Sequence, residues 1–251
     1  MPNLRFAAPV ERRVAIVTGG ARGIGRASAL RMAEAGRDIV IVDLQDEHGQ
    51  SAVAEIEAMG QKALYLPTDV TDEAAVHETV AKTVATFGRL DILVCCAGIL
   101  GKEAPFLEQP AAQFDKVLKI NLYGIYYAHQ AAIPHMLNGG WGRCLSITSG
   151  ARFGATNQVP YGVSKGAVHS FIGALGNAYP KQNLFVNGVE PGRALTDMVV
   201  PRFTKEFLAD PGNPMGRYSD AEEVAEVIEF LCSERNTYTT GSVWSVKGQT
   251  G

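Results

Sequence analysis

Short apolar runs alternate with longer helical segments along nearly the whole chain, and this alternation constrains the fold more than any other feature. The runs are rich in Val, Ile and Leu, and several of the helical segments end at glycine. Strands that are apolar at every position are typical of a parallel sheet that helices cover on both faces. The sequence therefore predicts about seven strands, at residues 13–18, 38–43, 63–66, 91–96, 143–148, 184–189 and 242–246.

The intervening segments predict helices on both faces of this sheet. They span residues 23–35, 45–59, 110–136, 159–179 and 221–233, with a further helix capped by Thr71. An α/β chain of this order predicts a doubly wound parallel sheet, the Rossmann fold. No repeat, low-complexity segment or linker interrupts the pattern, so residues 1–251 are interpreted as a single dinucleotide-binding and catalytic domain.

Composition and charge exclude several kinds of partner. The net charge of −3 argues against nucleic acid or an anionic membrane surface, and no apolar run is long enough to span a bilayer. The N-terminal residues do not have the pattern of a secretory signal, which predicts a cytoplasmic protein. Cys95 and Cys96 are neighbours on one strand and should point to opposite faces, so reduced thiols are expected. The histidines show no metal-ligand spacing, and no metal is expected.

A glycine-rich segment, Thr18-Gly19-Gly20-Ala21-Arg22-Gly23-Ile24-Gly25, lies between the first predicted strand and the first predicted helix. Glycines at this position let the backbone turn tightly and approach a pyrophosphate, which then lies at the N-terminus of a helix. A glycine pattern alone is weak evidence for such a site, but its place in an α/β alternation strengthens it. The segment predicts dinucleotide binding.

The end of the second strand indicates which dinucleotide is bound. Asp43 lies about twenty residues beyond the glycines, where a carboxylate accepts hydrogen bonds from ribose hydroxyls and repels a 2′-phosphate. Arg22 favours the opposite choice, because a guanidinium in the loop could reach a 2′-phosphate. The residue after Asp43 is Leu44, which adds no second positive group. NAD is therefore preferred to NADP.

Tyr161 and Lys165 are four residues apart on a predicted helix and so share one face. By itself such a pair is also consistent with a lysine that covers a core tyrosine. The surrounding motifs distinguish the two interpretations. Together with Asn121, Ser149 and Pro191-Gly192 followed by Thr196, the glycine-rich segment and Tyr161-Gly162-Val163-Ser164-Lys165 resemble the short-chain dehydrogenase/reductase family, over about residues 12–248.

The resemblance implies an NAD-dependent oxidoreductase that acts on a secondary alcohol or ketone. Tyr161 would be the general base for oxidation and the general acid for reduction, with the Lys165 ammonium favouring its phenolate. Ser149 would hold the substrate oxygen. Asn121 would hold a water of the proton relay, although a local helix kink or a packed polar residue is the alternative interpretation.

The resemblance also implies a cofactor site that runs along the chain. Asp69 and Val70 match the pair that holds adenine. Ala97 and Gly98 match the end of the family motif at the fourth strand, which lines the adenosine. The segment from Pro191 to Thr196 would hold the carboxamide of the nicotinamide ring. The implied cofactor-binding residues are Gly19, Arg22, Gly23, Ile24, Gly25, Asp43, Leu44, Asp69, Val70, Ala97, Gly98, Asn121, Tyr161, Lys165, Pro191, Gly192, Ala194 and Thr196.

This sequence departs from the family pattern at three places. Cys95 and Cys96 replace the usual pair of asparagines, and the stretch between Ser149 and Tyr161 is about one residue short. Near the C-terminus, Lys247 stands where the family usually has aspartate. None of these departures removes a residue of the proposed chemistry.

The substrate is expected to contact Ser149, Phe153 and Tyr161, with Arg152 and Gln158 nearby. The segment after Pro191-Gly192 adds apolar side chains, namely Leu195, Met198, Phe203, Phe207 and Met215. This lining predicts a compact hydrophobic alcohol and resembles family members that oxidise 1-arylethanols to aryl ketones.

Two other functions remain open from the sequence. An NADP-dependent reductase of ketoacyl or sugar substrates is one, and a non-catalytic dinucleotide-sensing protein on the same fold is the other. Binding alone does not require the set of Asn121, Ser149, Tyr161 and Lys165, which favours an enzyme. The helix that carries Tyr161 is apolar on a second side, lined by Val163, Ala167, Phe171, Ala174 and Ala178. Such a helix must be covered on both sides, which predicts a homotetramer.

Overall fold

The computed structural model describes residues 12–195 and 213–248. Within these ranges, seven parallel strands form one sheet in the order β3-β2-β1-β4-β5-β6-β7. The strands are β1 (Val14–Thr18), β2 (Asp38–Asp43), β3 (Ala63–Pro67), β4 (Ile92–Cys95), β5 (Gly142–Ile147), β6 (Leu184–Pro191) and β7 (Val243–Val246). The predicted doubly wound Rossmann fold is confirmed.

Helices connect the strands and cover both faces of the sheet. They are α1 (Gly23–Glu34), α2 (Asp46–Ala58), α3 (Glu73–Phe87), α4 (Ala111–Leu118), α5 (Gly124–Asn138), α6 (Val159–Ala178) and α7 (Ala221–Leu231). Helices α1, α2 and α7 pack on one face, whereas α3, α5 and α6 pack on the other. No helix in the described ranges is long and apolar enough to cross a membrane.

Successive side chains along the strands pack alternately into two separate hydrophobic cores, one on each face of the sheet. In β1, Ile16 packs into the core beneath α3, α5 and α6, and its neighbours Ala15 and Val17 pack beneath α1, α2 and α7. Adjacent side chains of a strand point to opposite faces, so a strand buried on both faces must be apolar throughout. Cys95 and Cys96 follow the same rule, since each lies against a different core and both thiols are free.

The chain reverses its strand order beside β1, because β2 lies on one side of it and β4 on the other. In a doubly wound sheet this reversal opens a crevice beyond the carboxyl ends of the strands. At the opposite side of the sheet, where the amino ends of the strands lie, there are buried ion pairs instead. There Arg37 contacts Glu229 of α7 at 3.0 Å, with both side chains at most 4% exposed, and Arg235 also pairs with Glu229.

Two local predictions were wrong. The N-cap of α3 is Asp72, whose side chain accepts a hydrogen bond from the backbone N–H of Ala75, and not Thr71. The predicted helix at 110–136 is divided by a π-helical turn over Lys119–Tyr123. Such turns insert one residue into a helix and re-aim its side chains, frequently at functional sites. Here the turn contains Asn121.

Candidate active site

A cleft of about 1050 Å³ opens at the carboxyl edge of the sheet, beside the reversal of strand order. The loops after β1, β2, β3, β4, β5 and β6 all contribute to its wall. Many of the site residues that the family resemblance implies line this cleft, namely Gly19, Arg22, Gly23, Ile24, Gly25, Asp43, Leu44, Asp69, Val70, Ala97, Gly98, Ser149, Tyr161, Lys165, Pro191, Gly192 and Ala194. Residues spread over most of the sequence therefore meet in one cavity.

The glycine-rich loop forms one end of the cleft and is close-packed. Gly19 has φ +65°, and a Cβ there would lie 2.6 Å from the backbone nitrogen of Ala97. A Cβ at Gly25 would overlap the carbonyl oxygen of Gly19. Helix α1 begins directly after this loop, and no described side chain caps its N-terminus. Its amide groups are therefore oriented toward the cleft, an arrangement that fits the phosphates of a dinucleotide.

Asp43 at the end of β2 lies beside this loop. One carboxylate oxygen accepts a hydrogen bond from the backbone N–H of Ala21 at 3.1 Å, and the other accepts one from Leu44 N–H at 2.8 Å. These bonds fix the carboxylate in the cleft wall and orient it with the glycine-rich loop. A carboxylate in this position fits the ribose hydroxyls of a nucleoside and opposes a phosphate at the same place.

Ser149, Tyr161 and Lys165 meet at the other end of the cleft. Ser149 follows β5 and interacts with the phenol of Tyr161, which α6 carries. The Lys165 nitrogen lies 5.7 Å from the centre of the Tyr161 ring and donates a hydrogen bond to the Ile147 carbonyl at 2.7 Å. A phenol, a hydroxyl and an ammonium are thus placed together, as the four-residue spacing of Tyr161 and Lys165 predicts.

Burial dominates the ionisation of this cluster. It raises the pKa of Tyr161, and the hydrogen bond with Ser149 acts in the opposite direction and lowers it. Burial lowers the pKa of Lys165 to about 8. The phenol therefore holds its proton more strongly than a free tyrosine does, and Ser149 is the group that offsets part of this effect.

Asn121 is fully buried behind the cleft. Its side-chain oxygen accepts from the backbone N–H of Ile99 at 2.8 Å. Its amide nitrogen donates to the Ile99 carbonyl at 2.9 Å and to the Ser164 hydroxyl at 3.1 Å. The residue joins the π-helical turn to the loop after β4 and to α6. Its side chain therefore packs behind the wall that Gly98 and Lys165 line, and its role in the proton relay stays a prediction.

Other predicted substrate contacts are not brought to the cleft. Phe153 is 76% exposed, stacks against the Arg152 guanidinium at 3.9 Å, and is not among the described residues of the cleft wall. Arg152 turns inward to Glu190 instead. Thr196, Met198, Phe203 and Phe207 lie outside the described residues.

The cleft also contains polar residues that the sequence interpretation did not assign to the site. Glu103, Arg193, Asn213 and Lys247 line its wall together with Gln158, whose amide donates to the Glu103 carboxylate. Glu190 was also missed, although a carboxylate in an apolar strand directly before Pro191-Gly192 is a detectable signal. A fully buried charge requires partners, and such a residue therefore indicates a cluster.

Known proteins are similar to this chain both in sequence and in architecture. Residues 19–248 match the family model described as Enoyl-(Acyl carrier protein) reductase. The chain is 36% identical over 246 residues to L-rhamnose 1-dehydrogenase (NAD(P)(+)) of Sphingomonas sp. (strain SKA58), with 95% of this chain and 96% of that protein covered.

Solved structures give the same result. The crystal structure of levodione reductase has a TM-score of 0.89 at 32% identity and covers 94% of this chain and 96% of its own. The NAD⁺-bound xylitol dehydrogenase structure has a TM-score of 0.86 at 31% identity, over 94% and 98%. With its cleft, its Ser149, Tyr161 and Lys165 cluster and these relatives, the chain belongs to the short-chain dehydrogenase/reductase family, whose members are oxidoreductases of alcohols and ketones that use a nicotinamide cofactor.

Proposed function

We propose that this protein is an NAD-dependent dehydrogenase that interconverts a small secondary alcohol and its ketone. The observation that carries the proposal is the meeting of Ser149, Tyr161 and Lys165 in one wall of a cleft whose other end is the glycine-rich loop. A protein that only senses a dinucleotide would need the loop but not this cluster.

The proposed chemistry follows from the groups at the substrate end. NAD, when bound, supplies the hydride acceptor, and its reduced form supplies the hydride. The Ser149 hydroxyl donates a hydrogen bond to the substrate oxygen and stabilises its developing charge. The oxygen of Tyr161 takes the hydroxyl proton during oxidation and returns it during reduction. The Lys165 ammonium, 5.7 Å from the centre of the ring, favours the phenolate form.

Asp43 supports NAD rather than NADP as the cofactor. Its carboxylate faces the cleft and is fixed by two backbone N–H groups, so it cannot move aside for a 2′-phosphate without losing both bonds. The residue that follows it, Leu44, is 64% exposed and offers no positive charge. We place the protein in the cytoplasm, where reduced thiols such as that of Cys96 at the cleft persist.

The substrate proposal is broader than the 1-arylethanol that the sequence suggested. That choice depended on Phe153 and on five apolar residues that follow Pro191-Gly192. Phe153, Leu195 and Met215 are exposed and are not among the described residues of the cleft wall, and the other three lie outside the described residues. The carboxamide of Gln158 and the carboxylate of Glu103 instead leave acceptor oxygens in the cleft. Acceptors bind the hydroxyl groups of a sugar or polyol, and a sugar substrate is therefore the second candidate. The relatives that act on rhamnose and xylitol support it.

The surface of α6 supports the proposed homotetramer. Val163, Ala174 and Ala178 are exposed on this helix. Tyr123 of the π-helical turn and Tyr126 of α5 are also exposed, and the Tyr126 ring lies against Phe171 of α6. Small side chains let a second helix approach closely, and exposed aromatic rings add apolar area for a partner to cover.

A substrate panel tests the proposed function. The purified protein is assayed with NAD and separately with NADP against 1-phenylethanol, a cyclic secondary alcohol, an aldose and a polyol, with NADH or NADPH absorbance as readout. Turnover of any of these with NAD, faster than with NADP, is expected. NADH binding without turnover of any alcohol or of the matching ketones would instead favour a sensor.

A further inference from the structure

A buried cluster of three charges lies directly beneath the catalytic end of the cleft. Glu190, the residue before Pro191 in β6, is 0% exposed. One of its oxygens accepts a hydrogen bond from Arg152 at 2.6 Å, and the other pairs with Lys247 and lies 3.5 Å from the Ser245 hydroxyl. The two cations are nearly buried as well, with 14% and 12% of their side chains exposed.

The partners of Glu190 come from two segments of the site. Arg152 belongs to the 3₁₀ turn Gly150–Phe153, whose N-cap is Ser149. The backbone N–H of Arg152 donates to the Ser149 carbonyl at 3.1 Å, and the N–H of Ala151 donates to the Ser149 hydroxyl at 3.2 Å, so Arg152 and Ser149 belong to one hydrogen-bonded turn. Lys247 follows β7 and lies so close to the Pro191-Gly192 turn that a Cβ at Gly192 would be 2.8 Å from its Cα.

The Ser149 turn is held from two sides. On one side it lies against α6, where a Cβ at Gly162 would be 2.8 Å from the Ala151 carbonyl oxygen. Tyr161 precedes this glycine, so the contact sets the distance between Ser149 and Tyr161. On the other side, the Glu190–Arg152 ion pair fixes the turn to β6. Without that bond, the turn keeps its contact with α6 and its chain connection to β5 through Thr148, but loses the side-chain attachment of Arg152 to β6.

We propose that Glu190 is a positioning residue that holds the Ser149 hydroxyl in place through Arg152, and that Lys247 completes the charge balance of this carboxylate. The inference rests on the proposed alcohol oxidation, since it assigns Ser149 a substrate contact. It also accounts for lysine at position 247. An aspartate there would lie beside a buried glutamate, and two carboxylates at this distance repel each other.

The test compares two arginines, each of which pairs with a buried glutamate. Arg152 pairs with Glu190, which keeps Lys247 when Arg152 is removed. Arg37 pairs with Glu229 at the opposite edge of the sheet, and Glu229 keeps Arg235 when Arg37 is removed. Arg152→Met and Arg37→Met should therefore both lower Tm. Only Arg152→Met should lower kcat, by about tenfold or more, because small displacements of a catalytic group are costly.

A second readout separates positioning from general damage. The interaction with Ser149 lowers the pKa of Tyr161, and the Lys165 nitrogen lies 5.7 Å from the centre of that ring. If Arg152→Met displaces Ser149, the pH dependence of kcat for alcohol oxidation should move to higher pH, as it should in Ser149→Ala. Arg37→Met should leave this profile unchanged. The conservative Arg152→Lys, which keeps a donor for Glu190, should recover part of the lost kcat.

Contrary results are equally clear. Wild-type kcat and pH profile in Arg152→Met would overturn the proposal, and so would equal losses in Arg152→Met and Arg37→Met. If Arg152→Met does not fold, the nearly isosteric Glu190→Gln makes the same comparison. Absence of alcohol oxidation in the wild-type protein would instead refute the proposed function, which distinguishes the two failures.

Discussion

The ammonium of Lys165 lies 5.7 Å from the centre of the Tyr161 ring, one helical turn along α6, and is anchored to the carbonyl of Ile147. Its described hydrogen bond is with this carbonyl and not with the phenol. Ser149 is the residue that interacts with the phenol itself, and its effect on the pKa opposes that of burial. In the proposed chemistry, Tyr161 therefore transfers the proton, whereas Ser149 adjusts the pKa of Tyr161.

Replacing Tyr161 with phenylalanine should remove the proton acceptor while keeping the ring. We expect kcat to fall by about a thousandfold, within the range for loss of a general base. The dissociation constant for NADH, measured by fluorescence, should stay close to that of the wild type, because the aromatic ring remains in the wall. Undiminished turnover in Tyr161→Phe would show that another group takes the proton.

Replacing Ser149 with alanine should change the pH dependence of the reaction. Oxidation requires the phenolate, so its rate rises with pH through the pKa of Tyr161. Loss of the Ser149 interaction raises that pKa further, and the rising limb should therefore move to higher pH. We also expect kcat to drop by about a hundredfold from the lost hydrogen bond to the substrate oxygen. Steady-state rates across pH measure both effects, and a limb that stays in place would contradict this role for Ser149.

Replacing Asp43 with serine should weaken the preference for NAD. The carboxylate repels a 2′-phosphate, so its removal should raise kcat/KM for NADP relative to NAD by about tenfold or more. Glu47→Gln, which removes a nearby exposed charge in the first turn of α2, is the control for general electrostatics. An equal change in both variants would mean that Asp43 does not contact the ribose.

A charge on the exposed face of α6 should disrupt the proposed tetramer. Ala174→Glu places a carboxylate on the exposed surface next to Phe171, whereas Ala54→Glu places one on the exposed surface of α2. Size-exclusion chromatography with light scattering should show a tetramer for the wild type and for Ala54→Glu, and smaller species for Ala174→Glu. A wild-type monomer would refute the assembly.

The features that were predictable from the sequence are those that neighbouring residues determine. The strand Asp38–Asp43 has its predicted bounds, because its apolar run ends at charged residues. Tyr161 and Lys165 share a face because helical geometry fixes residues four apart. A local kink at Asn121 was one alternative interpretation of the sequence, but the π-helical turn itself was not predictable, since Asn121 is held by Ile99 and Ser164 from distant segments. Phe153 was misplaced for a similar reason, because the turn that carries it is oriented by the pairing of Arg152 with Glu190.

The division of the interior into two cores by the sheet has a consequence for how the protein can change. A substitution beneath α1, α2 and α7 alters packing on the side that holds the glycine-rich loop, while α6 and its catalytic side chains rest on the other side. Substitutions in the core beneath the glycine-rich loop and substitutions in the core beneath the catalytic helix can therefore accumulate separately. The packing that supports the phosphate end of the cleft can in this way change while the packing of the helix that carries Tyr161 and Lys165 stays as it is.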